Sequence, residues 1–106
     1  MNNKLVDITE KQILRDQALE ILQAAGSSGA NRKVISLALH KSGYGAGDRE
    51  LDDALSYLEG KGLIRSERVK NRALGIDMVV YRITPDGVDV LEGTTEAPGI
   101  GVGYGG

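Results

Sequence analysis

The sequence predicts an α+β domain that is mainly α, in which three helices precede a two-stranded β-hairpin and a short C-terminal helix. Apolar residues recur at helical spacing as far as Leu58, and the pattern changes to strand-like alternation from Ile64 onward. With 106 residues, 41% of them hydrophobic, the chain has room for one small core. Phe and Trp are absent, so we expect that core to be aliphatic.

The first helix is predicted over Thr9–Ala25. Thr9 and Gln12 have the spacing of a capping box, in which a hydroxyl and an amide each satisfy a free backbone donor. Gly26 can supply the left-handed stop that ends the helix. The predicted apolar face consists of Leu14, Ala18, Ile21, Leu22 and Ala25.

The second and third helices are predicted from the residues that cap them. Asn31 is a good N-cap for a helix that runs to about Ser42. Asp48 caps a third helix, which Gly60 and Gly62 end. The apolar stripes of these helices are Val34, Ile35, Ala38 and Leu39, and then Leu51, Ala54, Leu55 and Leu58.

An antiparallel hairpin is predicted from strands at Ile64–Val69 and Ile76–Ile83, with the turn "KNRALG" between them. Thr84 then caps a last short helix with Pro85 at its first position, where a missing N–H costs nothing. The glycine-rich end "GTTEAPGIGVGYGG" has no periodic pattern. The predicted organisation is an N-terminal arm at 1–8, one folded domain at 9–92 and a flexible Gly-rich tail at 93–106.

The second strand of the hairpin has apolar residues on both faces. Val79, Tyr81 and Ile83 share one face, which we assign to the core. Met78 and Val80 lie on the other face, which is covered either by the chain itself or by a second subunit. Because a small aliphatic core is thin, we expect a homodimer, with Met78 and Val80 as its possible interface.

Composition and motifs argue against several classes of function. There is no cysteine for a disulfide or a thiolate metal site, and one histidine, His40, cannot build a zinc site by itself. No phosphate loop or nucleophile elbow appears, and "GVGYGG" has neither the strand nor the helix that a dinucleotide site needs. No apolar run approaches the roughly 18 residues of a membrane span. We expect a non-enzymatic, cytoplasmic protein without a metal, cofactor or small-molecule ligand.

Charge is unevenly distributed, although the formal net charge is only -2. The segment 61–72 has five basic residues and one acidic residue, a net charge of +4. The segment 48–60, which holds the third helix, has one basic residue and five acidic residues, a net charge of -4. A partner would therefore meet a basic hairpin beside an acidic helix.

Three helices followed by a hairpin is the element order of a winged helix-turn-helix domain. The segments "LDDALSYLEGKGLIRSERV" and "VVYRITPDGVDVL" resemble the helix-to-wing region of small bacterial winged-helix regulators. That family has the pattern Leu-x-x-Leu-x-x-x-Gly-Leu, then basic strands, then Thr-x-x-Gly. The resemblance covers about 9–92, and the residues that match are Leu55, Leu58, Gly62, Leu63, Thr84 and Gly87.

The chain also resembles short winged-helix proteins of Mu-like prophages. In those, an Asn opens the second helix, a Leu-x-Trp/Tyr-Leu-Glu-x-x-Gly-Leu segment leads into the hairpin, and Pro-Gly follows the last helix. Asn31, "LSYLEGKGLI" and "EGTTEAPGI" stand at those places. The resemblance implies a phage or prophage protein in a bacterial host, but it implies no activity.

The winged-helix resemblance implies contact with double-stranded DNA, through the third helix in the major groove and through the hairpin, or wing, along the backbone. The third helix presents Asp52 and Asp53 outward, where phosphate repels them, although a carboxylate can accept a hydrogen bond from a cytosine amino group. The sequence thus leaves two hypotheses open, a transcriptional regulator that binds DNA mainly through its basic wing and a protein-interaction module in phage assembly. The candidate DNA-binding residues are Arg49, Ser56, Lys61, Arg65, Arg68, Lys70 and Arg72.

Overall fold

A computed structural model of the chain describes residues 4–93, with side chains from Asp7 onward. The predicted tail therefore lies outside the described residues from position 94. The elements, in chain order, are α1 (Lys4–Ala25), a 3₁₀ turn (Gly26–Ser28), β1 (Ala30–Asn31), α2 (Arg32–Lys41), α3 (Asp48–Gly60), β2 (Ile64–Asn71), β3 (Ile76–Ile83) and α4 (Pro85–Leu91).

Helix α1 begins at Lys4, so the predicted start at Thr9 is wrong. None of residues 4–8 is glycine or proline, and the helix continues upstream through all of them. Thr9 therefore lies inside the helix and cannot act as its N-cap. The predicted end is confirmed, because Gly26 follows Ala25 with a φ of +63°.

The caps of α2 and α3 differ in their agreement with prediction. The Asn31 side chain accepts a 2.9 Å hydrogen bond from the Val34 backbone N–H, which confirms it as the N-cap of α2. Asp48 is instead the first helical residue of α3, and Gly47 is the N-cap. Glu50 Oε1 accepts from the Gly47 N–H at 3.4 Å.

A three-stranded antiparallel sheet forms, in the order β1-β3-β2. The predicted hairpin is confirmed, with Ile64 opposite Ile83 at its base, but β2 continues to Asn71, opposite Ile76, so its predicted end at Val69 is wrong. The two-residue strand β1, which pairs with β3, was not predicted. Two residues are too few to show an alternating pattern, so this strand has no signal in the sequence.

The core lies between α1, α2, α3, α4 and the base of the sheet, and it is aliphatic as predicted. Tyr81 and Ile83 pack partly against it, whereas Val79 is 43% exposed, so the assignment of Val79 to the core is wrong. Val79 lies opposite Arg68, two residues closer to the tip of the hairpin than Tyr81. The buried side chains of the predicted helical stripes are Leu14, Ala18, Leu22, Ile35, Leu39, Leu51, Ala54, Leu55 and Leu58.

Thr84 and Gly87 join α4 to the turn that precedes β2. The Thr84 hydroxyl accepts from the Gly87 N–H at 3.1 Å and donates to the Gly62 carbonyl at 2.6 Å. A Cβ at Gly87 would collide with the Leu63 carbonyl oxygen. The Thr-x-x-Gly spacing is thus required by close packing of α4 on the chain between α3 and β2.

Candidate nucleic-acid interface

The outward face of α3 is the one that the sequence predicts. Leu51, Ala54, Leu55 and Leu58 are buried on the opposite side. The exposed residues that were predicted are Arg49, Asp52, Asp53 and Ser56. This face thus has one cation, one hydroxyl and two carboxylates.

Arg32, which the sequence reasoning missed, lowers the effective charge of this acidic helix. From the start of α2, its Nε donates to Asp52 Oδ1 at 2.6 Å, and its Nη2 donates to the Asp48 carbonyl at 3.0 Å. The hydrogen bond with Asp52 is the main cause of a raised pKa for Arg32. Asp53 forms no ion pair within the described part of the chain. Of the two aspartates, Asp53 therefore presents the less compensated charge.

The start of the wing is attached to the end of α3. The Ser66 hydroxyl on β2 donates to Glu59 Oε2 at 2.7 Å, and the Ser66 N–H lies 3.3 Å from the same oxygen. Burial raises the pKa of Tyr81, opposite Ser66, and the charges of Glu59 and Asp52 raise it further. One face of the wing is thereby fixed beside α3.

Strand alternation divides the basic wing residues between two faces. Arg68 and Lys70 share the face of Ser66, beside α3. Arg65 is directed to the opposite face, where it lines a cavity with Gln23 and Val88. Arg72 lies in the turn between the strands. The predicted cluster is therefore not one surface, because only Arg68 and Lys70 share the face beside α3.

Two ion pairs within the hairpin lower the charge that a partner meets. Arg68 forms two 2.9 Å hydrogen bonds with the Asp77 carboxylate. Arg82 Nη1 lies 2.6 Å from Glu67 Oε2, on the opposite face. Lys70 and Arg72 form no ion pair within residues 7–93. They are thus the wing cations with the least internal compensation.

Lys61 lies at the junction of α3 and the wing, beside the aromatic ring of Tyr57. Its Nζ is 5.5 Å from the centre of the Tyr57 ring, over which the Arg15 guanidinium also lies at 3.7 Å. Lys61 remains exposed. This position extends the positive charge of the wing toward α1.

Helix α2 also has basic residues that were not among the predicted DNA-binding residues. Helix α2 has Arg32, Lys33 and Lys41 and no acidic residue. Lys33 and Lys41 are exposed. Their signal in the sequence is the composition of the predicted second helix, which has only basic charged residues.

Met78 and Val80 do not form the exposed apolar pair that the sequence suggested. Val80 is only 8% exposed, and a Cβ at Gly29 would lie 2.7 Å from Val80 Cγ1. The segment before β1 therefore covers Val80 within one chain. The prediction that Val80 is part of a subunit interface is wrong. Met78 is 38% exposed, with its sulfur 3.8 Å from Asn31 Nδ2.

The described residues show no cluster of three or more His, Asp or Glu that could hold a metal ion. His40 is exposed on α2, and its ring lies against Gly45, where a Cβ would have no room. Between residues 4 and 93, no helix is both long and apolar enough to cross a membrane.

Among solved structures, the chain is similar to a PadR-like transcription factor from Bacteroides fragilis. The TM-score is 0.69 with 19% sequence identity, over 83% of this chain and 82% of that one. The fold is a winged helix-turn-helix. In this winged helix, α2 and α3 form the helix-turn-helix, and β2 and β3 form the wing. No model of a protein family matches the chain, and no curated protein matches it significantly.

Proposed function

We propose that this winged helix binds double-stranded DNA mainly through its wing and acts as a transcriptional regulator of phage or prophage origin. The observation that carries the proposal is the attachment of Ser66 to Glu59. This contact holds one face of the wing beside α3, and Arg68 and Lys70 lie on that face. One duplex can therefore touch both the wing and α3. Lysine and arginine at such positions neutralise phosphates and release counterions.

Helix α3 has a secondary role in this proposal. Arg49 supplies a cation and Ser56 a hydroxyl on its outward face, whereas Asp53 opposes a close approach to phosphate. Lys61 and Arg72 extend the contact at the two ends of the wing, and the exposed cations of α2, Lys33 and Lys41, add a second positive surface. We therefore expect α3 to make only a shallow contact with the duplex, and most of the binding energy to come from cations that contact the phosphate backbone.

The regulatory role is supported by the PadR-like neighbour, which is a transcription factor with the same fold. The phage origin is supported by the resemblance of Asn31, "LSYLEGKGLI" and "EGTTEAPGI" to the proteins of Mu-like prophages. A regulator has to prefer a particular site, so specific binding is expected near its own gene.

A mobility-shift assay at two salt concentrations tests the proposal, with a random duplex and with DNA from around the gene. We expect binding to both at about 50 mM salt and a preference for the gene's own DNA. Lys70→Ala and Arg72→Ala should each weaken binding to any duplex and lower the salt slope by about one. Glu20→Gln, an exposed change of one charge on α1 away from the wing, is the control and should leave the slope unchanged. Absence of any binding at low salt would rule out the DNA proposal.

A second candidate is a protein-interaction module in phage assembly, which the uncompensated carboxylate of Asp53 favours. Asp53→Asn distinguishes the two candidates. If α3 faces a duplex, the variant should bind random DNA more tightly at low salt, where charges are least screened. If α3 faces a basic protein, DNA affinity should not change, and capture of that protein from a phage or host lysate should weaken.

A further inference from the structure

A groove with an acidic rim runs between α1 and the start of α3. Two adjoining cavities, of about 380 and about 190 Å³, share Glu10, Leu14 and Glu50 in their walls. Their floor is apolar, since Leu14 is only 9% exposed and Ala54 only 4%. The exposed carboxylates around the two cavities are those of Asp7, Glu10, Glu50 and Asp53.

These carboxylates are little compensated by the chain itself. Asp7, Glu10 and Asp53 have no ion pair within the described residues. Lys11 and Arg15 also line the smaller cavity, but Arg15 is stacked on the Tyr57 ring. The walls of the larger cavity have Glu10 and Glu50 and no cation. A matching occupant must bring an apolar group flanked by positive charge.

The tip of the wing, residues 70–75, has this composition. Leu74 is 71% exposed, more than any other large apolar side chain in the described part of the molecule. Lys70 and Arg72 stand beside it, and the tip has no acidic residue. The tip is also ordered before binding, because the Leu74 N–H donates to Asn71 Oδ1 at 3.2 Å and the Gly75 N–H to the Arg72 carbonyl at 3.2 Å.

We propose that the wing tip of a second copy of this chain docks in the groove, with Leu74 on the apolar floor and Lys70 and Arg72 at the acidic rim. The chain's own wing does not fill the groove, because no residue of 70–75 lines either cavity. Reciprocal docking of two wings in two grooves gives a closed dimer, in which the contact is made twice. The dimer does not depend on DNA binding, and DNA competes with it for the wing.

Sedimentation velocity at micromolar concentration, without DNA, tests this inference through charge reversal. The wild-type chain should associate at about 50 mM salt and dissociate at high salt. The wing variant K70E/R72E and the groove variant D7K/E10K should each weaken association at least about tenfold. Their equimolar mixture should restore it, because in the mixed dimer the acidic wing of one variant meets the basic groove of the other, and the basic wing meets the acidic groove. The matched control K33E/K41E, on α2, should associate like the wild type.

Leu74→Ala keeps the fold and all charges, since the side chain is exposed, and it should also weaken association. Circular dichroism of every variant checks that the helices are retained. A monomeric wild-type chain at low salt would overturn the inference, as would failure of the mixture to associate. Failure of the DNA proposal would appear instead in the mobility shifts, while D7K/E10K leaves the wing intact for that assay.

Discussion

The guanidinium of Arg68 on β2 forms two 2.9 Å hydrogen bonds with the carboxylate of Asp77 on β3. The pair is bidentate, the geometry in which arginine and carboxylate bind best. It also occupies two of the five N–H donors that Arg68 could offer to phosphate. The wing is therefore less positive toward a partner than its basic residues suggest, and we expect Asp77 to limit its affinity for an anion.

Asp77→Asn should therefore raise affinity for random duplex. Loss of the carboxylate frees Arg68 and removes a negative charge from the face beside α3. Binding isotherms at several salt concentrations should show a slope steeper by about one than that of the wild type. Glu20→Gln, an exposed change on α1 with the same charge difference, is the control and should leave the slope unchanged. An unchanged slope for Asp77→Asn would show that Arg68 does not contact phosphate.

The same ion pair predicts a dependence of stability on pH. Hydrogen bonds from Arg68 hold the pKa of Asp77 below its ordinary value of 3.8. A lowered folded-state pKa stabilises the fold fully above the ordinary value and ceases to do so as the pH falls through the lowered one. The wild type should thus unfold at a higher temperature than Asp77→Asn above about pH 4. This difference in unfolding temperature should vanish as the pH falls through the lowered pKa of Asp77. A constant difference at every pH would contradict this assignment.

Asn31→Ala should destabilise the domain by about 1 kcal/mol, because it removes the acceptor that caps α2. Asn31→Asp retains an oxygen for the Val34 N–H and should remain close to the wild type. Urea denaturation measures both free energies of unfolding. Equal losses in the two variants would indicate that Asn31 acts through another contact, such as that with Met78.

Gly87→Ala should destabilise the domain by about 1–3 kcal/mol, because the added methyl group meets the backbone of Leu63. Gly60 offers a matched control, since a Cβ there has no neighbour within 4 Å. Gly60→Ala, inside the last turn of α3, should instead stabilise by about 0.5–1 kcal/mol. Urea denaturation of both variants checks the two signs, and a tolerated Gly87→Ala would show that α4 can shift.

Much of the fold follows from local patterns in the sequence. The buried stripe of α3, the cap at Asn31 and the hairpin from Ile64 to Ile83 rest on periodicity and on residue types with strong backbone preferences. These signals act over a few residues, so they can be read without knowledge of the rest of the chain. The start of α1 was misjudged because Thr9 satisfies a capping pattern as well inside a helix as at its end.

The wing charges show what the sequence by itself determined and what only the tertiary structure decided. The sequence determined that a basic hairpin follows an acidic helix, because the number and order of charges do not depend on folding. The structure decided which charges are available, by pairing Arg68 with Asp77 and Asp52 with Arg32. Arg32 and Asp52 are 20 positions apart, and Val80 is covered by a segment some 50 positions before it. Such contacts depend on how the elements pack in three dimensions, which no local pattern of residues encodes.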